Sequence, residues 1–163
     1  MNKVQTITGN LLKTDIQYIA HQCNAVTNKS AHLSKDVFAA FPWADIYTPR
    51  KNYSSVPMTE EMPGNIIVKG NGQEQRYVIN IMGQYYPGNV KYSDSRKDGY
   101  RARQEYFASA LNKILRIDNL EAIAFPHGIG CGAAGGDWDI YQKMISCFSQ
   151  LTTAEVYIIQ LKE

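Results

Sequence analysis

Three cysteines, Cys23, Cys131 and Cys147, are all that this 163-residue chain holds, and no two stand in Cys-x-x-Cys spacing. An odd, scattered set points to neither a disulfide framework nor a zinc site, and it fits a reducing, cytosolic setting. No stretch approaches the ~18 apolar residues of a membrane span, and no apolar run near the amino end resembles a signal peptide. Charge of one sign is scarce as well, since 17 basic against 15 acidic residues leave a net +2. Without a basic block or stripe, binding of nucleic acid by phosphate neutralisation gets little support. Lys91, Arg96, Lys97, Arg101 and Arg103 form the densest basic group, and such a run is usually a solvated face. No repeat, low-complexity tract or linker divides the sequence, so residues 1–163 read as one domain. With 44% hydrophobic residues it is long enough to bury a full core.

What is present is an alternation of two apolar periods. Val4–Ile7 and Gln17–Gln22 look like strands, the second around Tyr18-Ile19-Ala20. Leu33, Val37, Phe38 and Phe41 recur at helical spacing and stop at Pro42, which marks a helix end. Ile66-Ile67-Val68 and Tyr77–Met82 read as a strand pair turning through Gly70-Asn71-Gly72. A polar loop rich in Tyr and Arg runs from Gln84 to Asp98 and has the composition of either a cap or a surface loop. Tyr100 to Ile117 then sets Phe107, Ala110, Leu111, Ile114 and Leu115 on one helical face. Ala122–Phe125 is a short buried strand; Trp138, Tyr141, Met144, Ile145 and Phe148 mark a last helix; Val156–Leu161 closes as a strand. The order ββαββαβαβ predicts a mixed sheet between helix layers, with ligands at the carboxyl ends of the central strands.

The run Phe125–Trp138 carries the most chemistry, because it strings five glycines and two alanines between strand and helix. Glycine tolerates positive φ and lacks Cβ, so successive N–H groups can converge on an anion at the positive end of the next helix. The expected ligand is a phosphorylated small molecule, although such a loop also serves as a tight connection. No Gly-Lys-Ser/Thr ending follows, which disfavours a Walker loop. The Gly-x-Gly-x-x-Gly spacing from Gly130 to Gly135 falls too late for a dinucleotide fingerprint on the first strand.

Four segments in order then carry a family likeness: Ile7-Thr8-Gly9-Asn10-Leu11-Leu12-Lys13, Ala20-His21-Gln22-Cys23-Asn24, Leu33-Ser34 leading to Phe41-Pro42, and Ile129-Gly130-Cys131-Gly132 through Asp137-Trp138. Together they resemble a macrodomain over essentially the whole chain. The resemblance implies a three-layer α/β/α sandwich with a central mixed six-stranded sheet. It also implies ADP-ribose binding and, as in some members, hydrolysis of ADP-ribose-1″-phosphate or of ADP-ribosyl esters and glycosides. Neither a cofactor nor a metal is implied, and a monomer with a small-molecule ligand is expected.

By the same resemblance, Gly9, Asn10 and the backbone of Leu11 meet the adenine, with Asn10 where Asp is common. An amide carbonyl still accepts that hydrogen bond, while Gly-Asn alone is equally a turn signal. Asn24 matches the asparagine on the distal ribose, or acts as a strand-end cap. Ile129, Gly130, Cys131, Gly132, Ala133, Ala134 and Gly135 would hold the diphosphate through their N–H groups. Tyr157 is a candidate stacking partner for adenine, or ordinary strand packing. Asp137 reads as a cap of the last helix ahead of a catalytic acid, and Trp138 as core packing. Cys131 at a helix start is either a nucleophile or a buried filler.

His21 is the leading catalytic candidate. It opens His-Gln-Cys-Asn, similar to the His-x-Cys-Asn of yeast-type ADP-ribose-1″-phosphate phosphatases, and an imidazole titrates near working pH. A structural histidine is the competing reading, and His32 and His127 are alternatives beside the expected ligand loops. Departures from the family also count. Asn28-Lys29-Ser30-Ala31-His32 replaces a Gly-rich stretch, so Ser30 and His32 narrow the pocket or add donors. The lysine used by glutamate- and thymidine-directed hydrolases is missing from Ile81-Met82-Gly83-Gln84, leaving Gln84 as a candidate ligand contact. Ala134 stands where the glutamate hydrolases put Asp. The leading expectation is an ADP-ribose-1″-phosphate phosphatase, and the alternatives are a non-catalytic ADP-ribose reader or nucleotide-signal scavenger, or an ADP-ribosyl hydrolase without the lysine–aspartate mechanism.

Overall fold

Strand and helix periods in the sequence fold into three layers. The computed structural model describes residues 3–51, 56–71 and 76–162. Its elements are β1 (Val4–Thr8), β2 (Tyr18–Asn24), α1 (His32–Ala40), β3 (Ile66–Gly70), β4 (Tyr77–Gln84), α2 (Tyr100–Ile114), β5 (Ala122–Pro126), α3 (Trp138–Leu151) and β6 (Glu155–Gln160). The sheet order is β1-β6-β5-β2-β4-β3, with five parallel strands and β3 antiparallel at one edge. The expected turn at Gly70-Asn71-Gly72 runs into residues 72–75, outside the described residues.

Period-two alternation along β2 sends side chains to two separate cores. Tyr18 and Ala20 join Ile79 and Ile81 of β4 against Phe107, Ala110 and Ile114 of α2 and Ile145 and Phe148 of α3. Ile19 and Cys23 face the other way and pack with Val78 and Met82 against Val37 and Phe38 of α1. Two helices therefore cover one face and α1 the other, giving the sheet between helix layers that the sequence order predicts. Each fully buried aliphatic side chain stabilises by ~1.5–3 kcal/mol. Among the described residues, no helix is long and apolar enough to cross a membrane.

Element ends shift by a few residues from expectation. β2 continues through Cys23 and Asn24, because His21 to Cys23 keep register with Asn80 to Met82. α2 stops at Ile114, and Leu115, Arg116 and Ile117 form a looser turn held by i to i+3 contacts from Lys113 and Ile114. Because β2, β4, β5, β6 and β1 run parallel, their carboxyl ends share one edge of the sheet, where the loops after Asn24 and Pro126 meet.

Candidate functional site

A cavity of ≈ 450 Å³ opens at that edge between the β2–α1 loop and the β5–α3 loop, within the range of small-ligand sites. Residues 126–134 form one wall; Gln22, Asn24, Lys29, Ala31 to Ser34, Tyr47, Gln84, Pro87 and Gly88 form the rest. No carboxylate lines it among the described residues, and Lys29 brings a positive charge to the exposed rim. His32 adopts φ 54°, a left-handed conformation uncommon outside glycine, as the chain turns into α1. The amino end of α1, Ala31 to Ser34, faces this space with no side-chain cap.

The glycine loop is shaped by close contacts. Gly130 has φ 76°, and a Cβ there would lie 2.6 Å from Cε2 of the buried Tyr141 and 3.0 Å from Oε1 of Gln22. Gly135 has φ 82° and abuts the Asn89 amide. Ile129, Cys131, Gly135 and Gly136 spend their N–H groups on carbonyls inside the loop, whereas those of Gly130, Gly132, Ala133 and Ala134 reach no acceptor among the described residues. Four of the expected phosphate-binding positions thus keep their donors free, and Gly135 does not line the cavity.

The adjoining wall of Gln84, Pro87 and Gly88 is tied down by a buried ion pair. Asp98 is 0% and Arg103 2% exposed. Arg103 Nη2 stands 2.7 Å from Asp98 Oδ2, while Nε donates to Oδ1 at 3.1 Å. The guanidinium also donates to the carbonyls of Tyr86, Gly88 and Ala134. Asp98 in turn accepts from the N–H groups of Tyr85 and Tyr86 and from Ser93 Oγ. The segment 84–98 is therefore a fixed wall joined to the glycine loop, reinforced by Val90 N–H donating to Ala134 O at 2.8 Å. Arg103 belongs to this hub and not to the solvated basic face on which the sequence grouped it.

The β2–α1 loop is ordered by Asn24. Its Oδ1 accepts from Val26 N–H at 3.1 Å and Thr27 N–H at 2.9 Å, and its Nδ2 donates to the Tyr47 hydroxyl. Arg50 Nη1 donates to the carbonyls of Asn24 and Thr27, and the guanidinium pairs with the buried Glu61 at 3.1 Å. Asn24 lines the cavity and at the same time performs the strand-end cap that the sequence offered as its alternative.

His21, expected at the ligand, lies instead beneath the cavity wall at 1% exposure and does not line the space. Its ring meets Phe38 edge-on at 5.2 Å, with Nε2 2.5 Å from Asn80 Oδ1 and Nδ1 3.1 Å from Ser34 Oγ. Burial pushes its pKa down to about 4, only partly opposed by the Asn80 hydrogen bond. At this burial the imidazole is not part of the cavity surface. Ser34, by contrast, lines the cavity with its hydroxyl shared between His21 Nδ1 and Gln22 O at 3.2 Å.

The remaining candidates separate by position. Gly9, Asn10 and Leu11 follow β1 at the same sheet edge but outside the cavity. Asn10 Oδ1 accepts from Leu12 N–H at 2.9 Å as a turn cap, and the Leu11 side chain is core. Tyr157 sits mid-strand and donates to Glu155 at 2.6 Å, toward the amino end of β6 and away from the loops, so it does not line the space. Ser30 is half-buried and also outside it. Asp137 caps α3 by accepting from Asp139 N–H at 3.0 Å. Trp138 packs at 4.8 Å against the ring of His127, which does line the cavity. Cys131 lines it too, but burial pushes its thiol up to about 12, the wrong direction for a nucleophile. Among the described residues no cluster of His, Cys, Asp or Glu is arranged to hold a metal.

Ser34, Gln22 and the Arg103–Asp98 hub were not singled out as site residues from sequence. Arg103 had a signal: it stands four residues before Phe107, in phase with Ala110 and Ile114, so a charge on the core stripe demands a buried partner.

No family model and no curated protein matches the sequence. Solved structures do match its fold. The macrodomain of Thermus aquaticus DarG superposes with TM-score 0.67 at 20% identity, covering 98% of each chain. Thermosipho africanus DarTG in complex with ADP-ribose gives 0.69 at 16%, over 96% of this chain and 41% of that one. A Trypanosoma brucei macrodomain in complex with ADP gives 0.62 at 12%, over 96% and 62%. With the mixed six-stranded sheet, two helices on one face and one on the other, and the cavity at the carboxyl edge, the chain has the macrodomain fold.

Proposed function

We propose that this protein binds ADP-ribose or a close derivative, with the diphosphate on the glycine loop. The observation that carries the reading is the set of acceptor-less N–H groups at Gly130, Gly132, Ala133 and Ala134 on a cavity without carboxylates. Such a cradle stabilises a diphosphate and gives nothing to a cation. Fold neighbours solved with ADP-ribose or ADP support the same ligand class by analogy. Calorimetric titration of ADP-ribose, with adenosine as the comparison, tests it. Saturable heat with ADP-ribose and none with adenosine is expected; equal responses would refute a diphosphate-centred site.

Hydrolysis of ADP-ribose-1″-phosphate is the second reading, favoured by the His-Gln-Cys-Asn segment and by two imidazoles, His32 and His127, on the cavity. With His21 walled in, acid or base work at the ligand falls to those two. Phosphate release that survives in both His32→Ala and His127→Ala would rule out this assignment of the chemistry.

A further inference from the structure

We infer that Arg50, which is not part of the cavity surface, is a positioning residue for ligand binding: it holds the β2–α1 wall in shape and so sets how tightly the protein retains the sugar beyond the diphosphate. The inference rests on the ADP-ribose reading and deepens it.

The turn after β2 is clamped from two sides. Asn24 Oδ1 takes its N–H groups at Val26 and Thr27, and Arg50 Nη1 takes its carbonyls, Asn24 O at 3.2 Å and Thr27 O at 2.8 Å. The other edge of the guanidinium is spent on Glu61, with Nε and Nη2 at 3.2 and 3.1 Å from the same oxygen and both side chains 9% exposed. A planar fork can serve a carboxylate and two carbonyls at once, which a point-like ammonium cannot. Arg50 also starts from a rigid base: its N–H donates to Tyr47 O at 2.9 Å, and Asp45 Oδ1 accepts from the N–H groups of Tyr47 and Thr48. Its guanidinium carbon lies 4.9 Å from the centre of the Tyr47 ring, whose hydroxyl accepts from Asn24 N–H at 2.8 Å and from Asn24 Nδ2 at 3.2 Å. The contacts of Arg50 thus converge on Asn24 and Tyr47, which do line the cavity. Thr27 Oγ1 accepts from Lys29 N–H at 3.3 Å and carries the order on to the rim.

The wall held in this way carries Asn24, Lys29 and His32 together with the uncapped start of α1. Polar groups of this kind suit the hydroxyls of a sugar, which both donate and accept. A purine needs a flat ring face, and the ring on this wall, Tyr47, is only 3% exposed. With the diphosphate on the glycine loop, the group that meets the β2–α1 wall is the terminal sugar. Without the guanidinium, the carbonyls of Asn24 and Thr27 lose their shared donor and the turn loosens. The ligand must then order the wall as it binds, and affinity falls by that cost. The glycine loop is tied to segment 84–98 and not to Arg50, so a ligand that ends at the diphosphate is spared.

Calorimetric titration of ADP-ribose, and of ADP, which ends at the diphosphate, into wild type, Arg50→Met and Arg50→Lys tests this. Wild type is expected to bind ADP-ribose more tightly than ADP. In Arg50→Met, ADP-ribose weakens at least about tenfold, as for two ligand hydrogen bonds of about 3- to 10-fold each, while ADP changes by less than about twofold. Arg50→Lys keeps a cation for Glu61 and with it the fold, but its single ammonium cannot span Glu61 and both carbonyls, so it loses the same preference. Calorimetric stoichiometry counts the folded fraction and separates loss of fold from loss of affinity. Equal losses of ADP-ribose and ADP, full ADP-ribose affinity in either variant, or no preference for ADP-ribose over ADP in wild type would overturn the inference while leaving ADP-ribose binding intact. No binding of ADP-ribose by wild type would overturn the ADP-ribose reading itself.

Discussion

Gly130→Ala tests the glycine loop at the position where geometry is least forgiving. At φ 76° an L-residue costs ~1–2 kcal/mol in the left-handed region. The added methyl would also sit 2.6 Å from Cε2 of Tyr141, a side chain 1% exposed and packed on Phe107 at 4.9 Å. Tyr141 has no open side to move into, and overpacking of this kind costs ~1–3 kcal/mol. Together about 2–5 kcal/mol is lost, which for a domain of this size lowers Tm by roughly 4–20 °C in a thermal melt. The loop relieves the clash by moving Gly130 and its neighbours, so the N–H cradle separates. Loss of even one hydrogen bond to a charged phosphate, ~1.5–3 kcal/mol, weakens ADP-ribose at least about tenfold. Gly132→Ala is the internal control, because a Cβ there meets nothing within 4 Å and its φ is not left-handed. Its Tm stays within about 2 °C of wild type, as for other substitutions without a steric or polar conflict. Gly130→Ala with unchanged melting and unchanged affinity would refute the account of the loop.

Arg103→Met removes one partner of a buried ion pair and leaves the Asp98 carboxylate without its cation, a loss of ~3–5 kcal/mol and a Tm lower by roughly 6–20 °C. A drop under about 3 °C would show that the hub contributes little. Acid also acts on the fold through His21, whose pKa falls from the ordinary 6.5 to about 4 on folding. The unfolded chain then binds more protons between those two values, so stability is complete above about pH 6.5 and declines as pH falls toward 4. The decline amounts to about 3 kcal/mol across that window. Urea midpoints of wild type and His21→Gln over this range check it, and parallel pH profiles would exclude His21 as the source.

Much of the fold is legible in the sequence because its two periods are clean. β2 and β4 alternate between two cores, and Phe107, Ala110 and Ile114 repeat along one face of α2. The glycine loop is legible because five glycines between a strand and a helix mark a tight, positive-φ turn, as Gly128, Gly130 and Gly135 bear out. The site is harder to read. His21 and Asn24 lie on a strand whose residues are almost all buried, and sequence spacing does not reveal which polar side chain reaches the cavity and which closes an internal network. Asn80 is the deciding case: across the ladder from His21, it satisfies the imidazole and removes it from ligand chemistry. Nothing in the local sequence of either strand joins them, because the pairing is made by a crossover through α1 and β3. Tyr157 misled by its type, since an aromatic on the last strand suggests a stacking partner while its phenol points to Glu155.

The guanidinium of Arg103 holds the carbonyls of Gly88 and Ala134 at once, tying the 84–98 segment to the glycine loop beside it. Rotating either segment outward would strip a buried charge of its partners, so the two walls move together or stay still. The spacing between segment 84–98 and the glycine loop is set during folding of the chain.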